Sequence, residues 1–257
     1  MSRIAMNLVG MIDVIDLTVV SQHYGRDFIP FPFMQRLASK VSPEVFEEHA
    51  RNVITRFREG DLRSLQHWAG TYVRSDIRVE GQAQFVSSDK VSVRVMAHRL
   101  ADGGYFARQT SDDVIEIFSL SPYDLGAAVA ESMGTLKPGS KQAIIVPEYQ
   151  VPTAPSSDGD GISIRSRIDI DDGADKVSRS DIEAFASIQS HWRPVRKWGV
   201  DRGKAAVVWV RVKDDGDYVY APDYKVAQPV SKAQLAGRID RLIADDVATV
   251  REIRRGI

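Results

Sequence analysis

One layout occurs twice in this chain, and it restricts the fold more than any other feature. In the first copy, a charged alternating run from Lys90 to Leu100 turns at Asp102-Gly103-Gly104 into Tyr105-Phe106-Ala107-Arg108. The strand Val114-Ile115-Glu116-Ile117-Phe118 follows and feeds a capped helix at Ser121-Pro122. In the second copy, Lys204 to Lys213 turns at Asp214-Asp215-Gly216 into Tyr218-Val219-Tyr220, and Lys225 to Val230 feeds a helix capped at Ser231. Two similar meander-plus-helix halves, neither carrying a catalytic set, read as a binding scaffold more than as an enzyme.

The remaining elements fall around these copies. Ile4, Met6 and Leu8 alternate as a strand, and Met11, Ile12, Ile15 and Val19 recur at helical spacing from Gly10 to Gln22. Asp13 and Asp16 interrupt the apolar start of the chain, which argues against a signal peptide. No stretch reaches the roughly 18 apolar residues of a membrane span. In Phe28-Ile29-Pro30-Phe31-Pro32-Phe33 the two prolines forbid helix, so the phenylalanines are expected to plug the core. Ser42-Pro43-Glu44 opens a helix that stops at Gly60, and a second helix carries Leu62, Leu65 and Trp68 to near Gly70. Ile77 to Phe85 reads as a strand, Asp181 to Gln189 as a short helix, and Ser231 with Gln234 as a capping box. Behind that box, Leu235, Ile239, Leu242, Ile243 and Val247 form one apolar stripe.

Chemistry is sparse. The chain has 257 residues, 34 basic and 35 acidic, for a net charge of −1, so no global field holds a polyanion and nucleic-acid binding is not expected. Cysteine is absent, which removes thiolate chemistry and fits a cytoplasmic location. The five histidines show no metal-pair spacing, and the aspartates between Asp158 and Asp175 lack a calcium-loop pattern, so no metal or cofactor is expected. Gly134 to Lys141 misses a phosphate loop because its last two residues are swapped and it follows a helix.

The strand surfaces offer more. In Lys204 to Lys213, the face with Ala206, Val208, Val210 and Val212 is expected against helices. The opposite face pairs Val207 and Trp209 with Arg211 and Lys213, as a recognition surface would. Met96 holds the comparable position in the first meander, and Arg238 and Arg241 on the last helix are candidate rim contacts. An ordinary sheet with one wet face gives the same pattern.

Short motifs add a resemblance over nearly the whole length. The strand-to-helix passage at Gly10, the Pro30-Phe31-Pro32-Phe33 turn and Tyr72-Val73-Arg74-Ser75-Asp76-Ile77-Arg78-Val79 come first. Tyr105 after the first turn, Asp124-Leu125 in the following helix and Tyr220-Ala221-Pro222 after the second complete the set. In this layout the chain resembles the EspG family, cytosolic chaperones of type VII (ESX) secretion in actinobacteria. It departs from the family in the compact Trp192 to Gly203 segment and the Ser156 to Ser180 connector.

The resemblance implies an α+β fold: antiparallel sheet with helical bundles, in two halves related by a quasi-two-fold. The expected divisions are 1–150 for the N-terminal half, 151–179 for a connector and 180–257 for the C-terminal half, within one compact domain. It implies no enzymatic activity and no cofactor. The implied partner is a PE–PPE heterodimer, bound at the exposed tip of the PPE protein, with the chaperone a monomer or weak homodimer. Two other readings stay open: an enzyme on an unrecognised scaffold, with His98 and Asp124 as first candidates, and a structural homo-oligomer.

Overall fold

The computed structural model describes residues 4–35, 42–86, 90–109, 113–149, 173–192 and 199–256. Most of the 151–179 connector lies outside the described residues. Among the described residues, five α-helices and eleven strands make an α+β architecture. The N-terminal elements are β1 (Asn7–Asp13), α1 (Val14–His23), α2 (Pro43–Glu59) and α3 (Gln66–Arg74), the last preceded by a 3₁₀ turn at Arg63–Leu65. A meander follows of β2 (Ile77–Phe85), β3 (Val93–Leu100), β4 (Gly103–Gln109) and β5 (Val114–Leu120), then α4 (Leu125–Ser132). The short strands β6 (Ile144–Ile145) and β7 (Asp175–Lys176) precede a second meander of β8 (Ile182–His191), β9 (Val207–Val212), β10 (Gly216–Tyr220) and β11 (Ala227–Pro229), which ends in α5 (Lys232–Arg255).

All the described strands join one sheet in the order β1-β5-β4-β3-β2-β8-β9-β10-β11-β6-β7, antiparallel throughout except for β6 and β7. The meanders meet at β2 and β8, where Gly81 faces Ile188 and Gln82 faces Ser187. Alternation along each strand divides the side chains between two covers. One face, with Val79, Ala83, Val95, Ala97, Ala184, Ala186 and Ile188, packs against α4 and α5 through Leu125, Val129, Leu235 and Ile239. The other face, with Met96, Tyr105, Ala107, Ile115 and Ile117, is covered by α1, α2 and α3 through Leu17, Val53 and Trp68. A third cluster, with Ile144, Val146, Val210, Tyr218 and Ala227, closes the far end.

Several local expectations hold. Ser42 Oγ accepts the Val45 N–H at the start of α2, and Ser231 and Gln234 form a reciprocal capping box on α5. Phe33 is buried, and Phe28 and Ile29 pack beside it, so the proline-interrupted segment does turn inward. At Gly10 an added Cβ would stand 3.0 Å from Leu65, and the bare backbone is what lets β1 pass this close to the 3₁₀ turn.

Others are corrected. The helix expected over Asp181 to Gln189 is instead strand β8 from Ile182 on, with Asp181 closing a 3₁₀ turn: Ile182, Ala184, Ala186 and Ile188 are buried at every second position between two hydrogen-bonded neighbours. Ser121-Pro122 makes a turn, with Asp124 N–H donating to the Ser121 carbonyl, and α4 begins only at Leu125. The first strand runs on to Asp13 through an irregularity between Leu8 and Gly10, so α1 starts later than its periodicity suggests. The helix expected to end near Gly70 continues to Arg74.

Candidate functional site

The two faces of β9 are the reverse of the sequence expectation. Val207 and Trp209 lie on the side of α4 and α5, and Trp209 is 0% exposed in the cluster with Leu235 and Ile239. Val208, Val210 and Val212 face Tyr218, Tyr220 and Ile144 instead. The reason is size: a tryptophan contributes more apolar area than a valine, so the longer helix settles over it. Met96 is also fully buried, under α3. These side chains support the surface from inside the folded protein.

Arg211 is the link from that core outward. Its guanidinium lies 5.2 Å from the centroid of the Trp209 ring and pairs with buried Asp217 at 2.8 Å, while Nη2 donates to the Thr135 carbonyl at 2.9 Å. Three partners fix its geometry. Lys213 is exposed, and its backbone N–H donates to the Asp181 carbonyl at 2.8 Å, which binds the end of β9 to the start of β8. Arg238 sits apart, donating to the Tyr220 carbonyl at 3.0 Å, and Arg241 is exposed on α5.

Antiparallel pairing brings the end of β2, the segment before β3, the start of β8 and the end of β9 to one edge of the molecule. Large apolar side chains stand exposed there: Val86 at 59%, Val91 at 43% and Phe185 at 37%. Val86 is held by its N–H on the Glu183 carbonyl at 2.9 Å. Charged groups stand at the same edge, but Arg211 is paired with Ala184 and Phe185 with Val210, so Arg211 and Phe185 occupy opposite faces of the sheet. Lys90 pairs with Glu183 at 2.8 Å and lies over the Phe85 ring, 5.5 Å from its centroid. The Lys90 hydrogen bond, followed by the charges of Lys90, Arg211 and Lys213, holds the Glu183 carboxyl below its ordinary value. Exposed apolar side chains and ordered charges brought to one edge are the ingredients of a protein interface. The sequence singles out Arg211 and Lys213 but not Phe185, whose segment it takes for a helix. The alternation Ile182, Ala184, Ala186, Ile188 is consistent with a strand, but only its pairing with β2 and β9 decides it.

The polar groups in the interior serve packing. His98 is fully buried beneath α3. Thr71 donates to the Trp68 carbonyl at 2.8 Å, so its oxygen accepts Nε2–H of His98 at 3.1 Å. Burial, then the charge of Arg78, pushes the His98 pKa down to about 3, and the same causes with Lys204 push His191 down to about 4. Arg78 and Glu80 pair at 2.5 Å beside them, and burial raises the Glu80 carboxyl against the pull of Arg78.

The phosphate-loop near miss is occupied by the chain's own acids. Asp217 accepts the Lys137 N–H at 2.6 Å, and Asp215 accepts the Ser140 N–H at 2.8 Å. Among the described residues, no group of three or more His, Asp or Glu side chains could hold a metal ion, and no helix is long and apolar enough to cross a membrane.

No protein-family model matches the chain, and no curated protein matches it in sequence. Among solved structures, it is similar to the type VII secretion system chaperone EspG5 of Mycobacterium tuberculosis, solved in complex with a PE25–PPE41 dimer. The superposition covers 93% of this chain and 96% of that one, at 11% identity and a TM-score of 0.49. At that identity and TM-score the likeness establishes neither a family nor a partner.

Proposed function

We propose that this protein is a cytoplasmic chaperone of type VII secretion, which binds a PE–PPE heterodimer at the exposed tip of its PPE member. It keeps the pair soluble and delivers it to the secretion machinery, and it performs no catalysis. In this reading the two meanders are quasi-two-fold mates, with the axis passing between β2 and β8. The protein works as a monomer or weak homodimer. The sequence motifs from Gly10 to Pro222 support the family, and one structural observation carries the docking site: the exposed Val86, Val91 and Phe185 at the sheet edge that also carries Lys90, Arg211 and Lys213.

The physical logic follows from burial. An apolar helical tip aggregates until a complementary surface covers it. Phe185 supplies a rigid aromatic anchor, and the cations and Glu183 at the same edge supply polar contacts that fix orientation. Trp209 contributes from below by holding Arg211 in place.

Phe185→Asp tests the site, because an exposed position tolerates the change in the folded protein. Capture of the PE–PPE pair by this variant should weaken by at least tenfold, as loss of an interface anchor does. Wild-type affinity in folded Phe185→Asp would remove this edge as the docking surface.

A further inference from the structure

A second site lies on the opposite cover of the sheet, and the docking surface makes no use of it. A cleft of about 720 Å³ is bounded by Tyr24 behind α1, by Arg63 and Ser64 on the 3₁₀ turn, and by His67, Gly70 and Arg74 on α3. Its size is that of a small-molecule site. Gly70 is the bare floor: an added Cβ there would stand 3.4 Å from Arg74 Nη2 and 3.7 Å from the Tyr24 hydroxyl. Both polar groups therefore converge over one patch of backbone.

The lining is made of donors. Among the described residues, no carboxylate borders the cleft. Arg74 Nε donates to the Gly70 carbonyl at 3.0 Å, which pins the guanidinium and leaves its terminal nitrogens for a ligand. Arg63 has no acidic partner among the described residues. His67 Nδ1 is hydrogen-bonded to the Tyr105 hydroxyl. With that phenol donating, the imidazole keeps Nε2–H as its free donor. The Gln66 amide is spent on the Phe57 and Arg58 carbonyls at 2.7 and 3.2 Å, which stiffens the wall.

We propose that this cleft binds the phosphate group of a small soluble anion. Two guanidinium forks, the Ser64 hydroxyl and an imidazole N–H give more donors than a planar carboxylate accepts, whereas a tetrahedral oxyanion takes contacts from several directions; the Tyr24 hydroxyl donates to the Gln66 carbonyl at 3.5 Å. The site is independent of the chaperone reading: it stands or falls whatever partner the sheet edge takes.

The test is an amide-resolved NMR titration of the full chain with sodium pyrophosphate at constant ionic strength. The expected result is saturable shifts centred on Ser64, His67, Gly70 and Val73, with affinity reduced at least tenfold in the double variant Arg63→Ala/Arg74→Ala. Both arginines are exposed, so the variant retains the fold. A parallel arm sediments the protein with phosphatidylcholine vesicles containing phosphatidylglycerol. Shifts that spread over the basic surface without saturating, or that persist in the double variant, overturn the site. Vesicle binding without pyrophosphate binding overturns the soluble ligand.

Discussion

Replacing His98 by phenylalanine should flatten the acid sensitivity of this fold. The wild-type imidazole is fully buried and neutral, with its pKa lowered from 6.5 to about 3. A folded-state pKa below the unfolded one adds stability that is complete above pH 6.5 and is lost as pH falls from 6.5 toward 3. At pH 5 the unfolded chain holds the proton in a ratio of about 30 to 1 while the folded chain refuses it, a cost of about 2 kcal/mol. His191, lowered to about 4, adds a further cost of about 2 kcal/mol over the same range. Phenylalanine keeps the ring, and Thr71 retains its donation to the Trp68 carbonyl, so little is lost at neutral pH. Glu80, raised by burial, runs the other way: what it adds when protonated is lost as pH rises through its pKa. It is common to both proteins and cancels in the comparison. Urea unfolding at pH 7.5 and pH 5 reads the difference. The wild type should lose about 2 kcal/mol more than His98→Phe, or about 0.7 M in midpoint at a slope of about 3 kcal/mol per M. Equal losses in the two proteins would refute a neutral buried His98.

Three further outcomes follow from the packing. Trp209→Ala should cost about 3–5 kcal/mol of stability, seen in urea unfolding, because it opens a cavity under α5 and frees Arg211. Gly139→Ala should cost about 1–3 kcal/mol, since its Cβ would enter the Tyr218 ring, and that ring is fixed by its hydroxyl to Asp215 and to the Lys141 N–H. Ser231→Ala should cost about 1 kcal/mol, measured the same way, by removing the capping box of α5.

Local chemistry was legible in this sequence wherever a residue acts on its own neighbours. Ser42-Pro43 and Ser231 with Gln234 announce helix starts, because caps are made within three residues. Ile77 to Phe85 announces β2, and the doubled turns announce both meanders. What was not legible depends on distant chain. Ile182 to Gln189 lies at the centre of the sheet with small buried residues, and only pairing with β2 and β9 makes it a strand. The face assignment of β9 failed for a similar reason. Val207 and Trp209 alternate with Val208 and Val210, both sets are apolar enough to be buried, and α5 decides which set it covers. Phe185 and Val86, 99 positions apart in the chain, reach one edge through that same pairing. No local pattern could place them together.

The most direct test of the chaperone account is co-expression with a PE–PPE pair encoded beside it, followed by affinity capture and size-exclusion chromatography. The account predicts a stable ternary peak, with the pair insoluble when this protein is omitted. A pair that is equally soluble without it, and a protein that elutes alone, would contradict the account.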